Sequence, residues 1–287
     1  MGLGKSLLGG ALGLALSVAA GAAETADLII VHGRIHPGAA GSGTVQAIAV
    51  LGGRIVAAGG DKRIRAMATE GTQVIDLGGR TATAGLIETH APLSGAAGEG
   101  ATIEAIEAAI LQGIEGLHRR GVTALRDPRV RPEGWEAYRV LLATGGLAER
   151  VCAAWDAGST LDTAKATLAN IEAVPKAPRN LGDGRLVSCG VTIGNTDPGT
   201  ARAMTRLFED AGYRVENPNE GAGARPRKAV PLLFLGNKVG TLEPGKRADL
   251  AVWEKDPRIA PDARCLMTLL DGEVVYRAED GPVASKH

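Results

Sequence analysis

From residue 24 to 80 apolar and polar positions alternate in short runs, the period-two pattern of strands half-buried against a core. Residues 28–35 alternate around Gly33. Residues 46–50 and 54–58 flank Leu51-Gly52-Gly53, and Gly52-Gly53 favours a two-residue hairpin turn. Residues 61–69 have helical spacing, with Ile64 and Met67 on one face, and 72–77 reads as a further strand closed by Gly78-Gly79. The pattern returns near the C-terminus. Residues 249–253 form a strand, and 265–270 and 273–276 form a hairpin through Asp271-Gly272, a type I′ turn signal. Strands from both ends of the chain can share one small sandwich, so 24–80 and 237–280 are assigned to a composite β-sandwich domain.

Between them, 81–232 alternates strand and helix. Residues 81–90 read as a strand. Over 102–120 Ile103, Ile106, Ile110, Ile114 and Leu117 fall on one helix face, with Gly121 at the position that ends it. Strands follow at 122–126, 150–155 and 185–193, and helices at 133–144 and 161–174. Asp197-Pro198 starts a helix that Gly212 ends, and 213–216 begins a fifth strand. Such alternation predicts a parallel sheet with right-handed crossovers. A closed eightfold barrel takes about 250 residues, and the roughly 150 here suffice for four or five units. The expected class is α/β: an incomplete (β/α) TIM-like barrel over 81–232 plus the small β-sandwich. Four or five parallel strands cannot close, so an unpaired strand at 81–90 or 213–216 is expected. Self-association, as a homo-oligomer, is one way to cover it, and poor solubility is the alternative.

Composition narrows the function. Lys plus Arg equals Asp plus Glu at 32 each, and aromatics are 3%, so neither a basic field nor stacking surfaces point to nucleic acid. Residues 1–23 read as a signal peptide: Lys5, a glycine-interrupted apolar run, and small residues Ala20-Gly21-Ala22 before Glu24. This implies export, to a bacterial periplasm, and no membrane attachment after cleavage; a retained anchor is the competing reading. Cys152, Cys189 and Cys265 lack metal-ligand spacing. One disulfide is the most they allow, and burial as small hydrophobes is the expectation. The basic run from Arg126 to Arg131 is expected on a solvated face.

Three segments carry a resemblance: Asp76-Leu77-Gly78-Gly79-Arg80, then Gly85-Leu86-Ile87-Glu88-Thr89-His90-Ala91-Pro92, and, far downstream, Gly240 through Leu250 with Thr241-Leu242-Glu243-Pro244-Gly245. Together they resemble the amidohydrolase superfamily, metal-dependent hydrolases with a (β/α) barrel and a small β-sandwich. The resemblance implies hydrolysis of amide-type C–N bonds in small molecules, with one or two divalent ions, often Zn²⁺. It also implies ligands at defined strand ends, and here this chain departs from the pattern. His90 matches the first histidine of the His-x-His pair, but Pro92 stands where the second belongs. Gly190-Val191-Thr192 stands where many relatives read Gly-Val-Lys, and Glu216 stands at the end of the fifth strand.

The five histidines are His32, His36, His90, His118 and His287. Only His90 falls at a strand's C-terminal end in the α/β part, so it is read as a vestigial metal ligand, and zinc binding is expected to be weak or absent. Glu88, Asp127 and Glu216 are further candidates near strand ends, where barrels place their sites. Alternation puts residues 88 and 90 on one face. Hydrogen bonding or ion pairing with Arg126 or Arg129 is the competing reading for Glu88 and Asp127. No catalytic residue is assigned. Three functions stay open: a hydrolase with a reduced metal site, a non-catalytic binding or scaffold protein, and a truncated remnant.

Overall fold

The computed structural model describes residues 25–38, 43–174, 180–217 and 238–286. The leader expected over 1–23 lies outside them. β1 (Ala26–Val31) stops at His32, whose φ of 54° turns the chain, and β2 (Arg34–Ile35) enters a different sheet. Any side chain at Gly33 would meet Leu77, its Cβ lying 2.5 Å from Leu77 Cδ1. The single strand expected over 28–35 is therefore two. β3 (Ala47–Leu51) and β4 (Arg54–Gly59) form the expected hairpin, with Gly52 and Gly53 at φ 56° and 73°, the conformation a type I′ turn requires.

The helix expected over 61–69 is cut short to α1 (Asp61–Arg65). The chain prefers β5 (Ala68–Asp76), because Ala68 pairs with Ala26 and the buried Thr72 hydroxyl donates to Ala26 O at 2.7 Å. The strand expected over 81–90 is likewise divided into β6 (Thr81–Ala84) and β7 (Leu86–Glu88). The break is Gly85, where a Cβ would lie 2.1 Å from Thr123 Oγ1.

Next come α2 (Ile103–His118), β8 (Val122–Val130), α3 (Pro132–Ala143), β9 (Arg150–Asp156), α4 (Leu161–Ala173), the short β10 (Asn180–Leu181), β11 (Leu186–Thr192), α5 (Pro198–Asp210) and β12 (Val215–Glu216). Sequence signals set these helix starts. The hydroxyl of Thr102 accepts from Ala105 N, and Asp197 accepts from the N–H groups of Gly199 and Thr200. The last strands are β13 (Leu250–Trp253), β14 (Cys265–Leu270), β15 (Glu273–Arg277) and β16 (Ala284–Lys286).

Two five-stranded sheets, ordered β16-β5-β1-β3-β4 and β15-β14-β13-β6-β2, combine strands from both ends of the chain. Ile30, Ile48 and Ile75 of the first and Ala82, Val252 and Met267 of the second share one buried cluster. The third sheet runs β7-β8-β9-β11-β12, all parallel, with β10 antiparallel to the start of β11. Ile106, Ile110 and Ile114 of α2 pack with Leu125, Val151 and Val191 of this sheet and with Met204 and Phe208 of α5. The sheet is curled: Arg126 on β8 hydrogen-bonds Thr192 on β11 across the intervening β9. It is a half-barrel, and among the described residues it ends at β7 and β12. Leu86 and Ile87 on the β7 edge are 45% and 37% exposed, an apolar edge of the kind the strand count predicts.

Charge joins the half-barrel to the paired sheets. Arg150, the first residue of β9, donates to Asp249 at 2.6 and 3.2 Å and to Asp271 at 2.5 Å. Asp271 sits at the tip of the predicted type I′ hairpin (φ 50°, then 81° at Gly272) and also binds Arg185 and Arg247. His118, at the end of α2, meets Glu149 at 2.8 Å, and burial holds the Glu149 carboxyl above the usual range.

The cysteines correct the sequence reading. Cys152 and Cys189 are not separate buried thiols but a disulfide joining β9 to β11, with Cα atoms 5.5 Å apart. They are 37 residues apart in sequence and become neighbours only through parallel pairing, which spacing cannot reveal. Cys265 is buried and free, and its burial raises the thiol pKa.

Candidate site at the strand ends

Four candidates from the sequence are placed in three locations. β7 stops at Glu88, so strand alternation does not extend to His90, which is exposed. The His90 N–H donates to Glu88 Oε1 at 3.1 Å, and the other Glu88 oxygen lies 3.7 Å from Arg120. Asp127 is fully buried on the helix side of β8. Its carboxylate accepts from Ser94 N at 2.8 Å, from the Tyr138 hydroxyl at 3.0 Å and from Arg129 N at 3.4 Å. Burial raises the Asp127 pKa against those donors, and burial then Asp127's charge lift Tyr138 well above the ordinary phenol range. Glu216 is elsewhere again, 2.5 Å from Arg126.

The raised Asp127 pKa has a consequence for stability. A carboxyl whose folded pKa exceeds its unfolded one binds more protons when folded, so its contribution is complete below about pH 4 and is lost as pH rises through the folded value. Asp127→Asn, which keeps an acceptor for Ser94 N and Tyr138, is expected to flatten the fall in melting temperature above about pH 4. An unchanged pH slope in scanning calorimetry would exclude Asp127 as its source.

A cleft of about 890 Å³ opens at the C-terminal ends of β7, β8 and β9. The loop after β7 forms one wall and the start of α3 another. The two close together because residue 134 is glycine: a Cβ there would lie 2.8 Å from Ser94 Cβ. Arg129, Arg131, Asp156 and Glu99 supply charges of both signs. Asp156 is 13% exposed, lies 3.7 Å from Arg129 and 4.0 Å from Arg131, and accepts from Gly158 N at 3.1 Å. Trp135 of α3 and Trp155 of β9, the chain neighbours of the lining residues Gly134 and Asp156, are buried with tilted rings whose centroids are 5.5 Å apart.

The basic run of residues 126–131 is thus not one solvated face. Arg126 is buried, while Arg129 and Arg131 line the cleft. Arg129 lies where the pairing with β9 shifts register, between Asp127 and Val130, and Arg131 is beyond β8 at the start of α3, so strand alternation alone could not have separated the three. Asp156 went unnoticed because nothing local distinguishes it from a surface aspartate.

Whether these residues suit a divalent ion can be tested on their geometry. Pro92 has no side-chain donor atom, Thr192 and Glu216 are engaged by a guanidinium, and His90 is exposed beside a carboxylate that also faces Arg120. Among the described residues no group of three or more His, Cys, Asp or Glu is arranged to hold a metal. The described residues do not fit a zinc centre, which needs at least three protein ligands of nitrogen, sulfur or carboxylate type.

Neither a family model nor a curated protein matches the sequence. Solved structures match in fold. Guanine deaminase from E. coli gives a TM-score of 0.59 at 14% identity, over 88% of this chain and 99% of that one. An amidohydrolase from a Sargasso Sea environmental sample gives 0.58 at 14% identity, over 87% and 93%. An atrazine chlorohydrolase from Arthrobacter aurescens TC1, complexed with zinc, gives 0.56 at 14% identity, over 89% and 96%. The chain shares its fold with these three proteins, one of them an amidohydrolase, the class the three sequence segments resemble, and its parallel sheet is a curled half-barrel.

Proposed function

We propose that this chain is a non-hydrolytic, small-molecule-binding protein on an amidohydrolase-type scaffold, its two paired sheets corresponding to the small β-sandwich of such proteins. The observation behind this reading is the cleft at the ends of β7, β8 and β9, with its own charged lining and no ligand set for a metal among the described residues. Open α/β sheets bind their ligands outside the carboxyl ends of the strands. A guanidinium pair facing Asp156 and Glu99 suits a small zwitterion, with a carboxylate for the arginines and an ammonium for the acids.

Hydrolysis of C–N bonds with a divalent ion is the second reading, and what favours it is the fold shared with a guanine deaminase and a zinc-complexed chlorohydrolase. Export is part of the proposal. The Cys152–Cys189 disulfide supports it, since disulfides persist in oxidising compartments. So is self-association through the apolar β7 edge. The balanced net charge argues against nucleic acid as a partner.

Free amino acids are the simplest zwitterionic probe. Because Trp135 and Trp155 adjoin the lining residues Gly134 and Asp156 in the chain, at least one amino acid at millimolar concentration is expected to change tryptophan emission saturably, and Arg131→Gln to weaken that response. A full panel without any saturable change would remove the binding reading.

A further inference from the structure

Alternation along β8 puts Leu125 and Asp127 toward the helices and Arg126 toward the opposite, concave face. From there its Nη2 donates to Thr192 Oγ1 at 2.9 Å and lies 2.5 Å from Glu216 Oε2, while the Thr192 hydroxyl is 3.5 Å from the same oxygen. Thr192 ends β11 and Glu216 ends β12, so two strand ends meet at a guanidinium carried by the middle of β8, whose side chain is 8% exposed. We infer that the Arg126 guanidinium is a built-in cation, which clamps the ends of β11 and β12 to the middle of β8 and keeps Glu216 from serving as a ligand to a divalent ion.

The physical case has three parts. β12 is only two residues long and pairs with β11 through Val215 and Glu216, so backbone pairing alone holds it weakly. A charge-assisted bond to Glu216 from β8, across β9 and β11, supplies what that short ladder lacks. Next, the Glu216 carboxylate is neutralised at hydrogen-bonding distance, and a second cation approaching it would meet the guanidinium's charge at a few ångströms. Finally, Thr192 offers a hydroxyl where a zinc centre uses imidazole, thiolate or carboxylate. Arg126 acts here as a positioning residue. The inference stands apart from the cleft: a cleft that takes no ligand leaves it intact.

A double-mutant cycle on the full chain tests it, with melting temperature as the readout and parallel runs in EDTA and in zinc. Arg126→Ala is expected to lower the melting temperature by roughly 4–10 °C. Adding Glu216→Ala is expected to cost little more, because the two side chains act as one unit. Wild-type protein should melt at the same temperature with either additive. If Arg126→Ala does not fold, Arg126→Gln with Glu216→Gln must show the same coupling. Additive losses, no loss in the Arg126 variants, or a wild-type melting temperature that falls in EDTA would overturn the inference.

Discussion

Replacing Cys152 and Cys189 together by alanine is expected to destabilise the protein by about 3–4 kcal/mol. The bond closes a loop of 37 residues and so restricts the unfolded chain substantially. It also sits where the fold needs it. β9 and β11 are inner strands of a sheet that, among the described residues, does not close, and their pairing rests on backbone hydrogen bonds, the bond from Trp155 Nε1 to Ser188 Oγ at 2.7 Å and this one covalent link. For a chain of this size the loss corresponds to a fall of roughly 6–16 °C in melting temperature, and reductant alone should reproduce it. Equal melting of wild type, double variant and reduced wild type would show that the bond carries no stability.

Asp249→Ala is expected to cost about 3–5 kcal/mol, because it leaves Arg150 buried without its main partner. Both side chains are only 3% exposed, and Asp249 accepts three hydrogen bonds, two from Arg150 and one from Asp271 N at 2.9 Å. Asp249→Asn keeps the shape and one acceptor and should lose less. The comparison matters because this pair connects the half-barrel to the paired sheets, so the variant should loosen both. Hydrogen exchange is the sensitive measurement: faster exchange in both β9 and β13 is the expected result, and a change in only one of them would mean that the pair does not couple the two.

Local chemistry in the sequence was enough to place most elements. Gly52-Gly53 and Asp271-Gly272 specify turns that only positive-φ residues fill easily, and Thr102 and Asp197 cap their helices within three residues of themselves. Elements set by distant neighbours were not legible. The break at Gly85 depends on Thr123, the start of β5 depends on Ala26, and β16 carries no apolar periodicity because all three of its residues are exposed. The candidate site divides the same way. The departure at Pro92 is visible as a residue, whereas the grouping of Arg126 with Thr192 and Glu216 requires the curl of the sheet. Asp271 shows both sides at once, since its turn is local and its three arginine partners are not.

The central proposal is that this chain shares its fold with an amidohydrolase but holds no divalent ion at its strand ends. Elemental analysis of the purified full-length protein after dialysis against metal-free buffer tests it most directly. The account predicts far less than one equivalent of zinc or any other divalent transition metal per chain, unchanged by His90→Ala. A stoichiometric ion that His90→Ala removes would contradict it and restore the hydrolase reading.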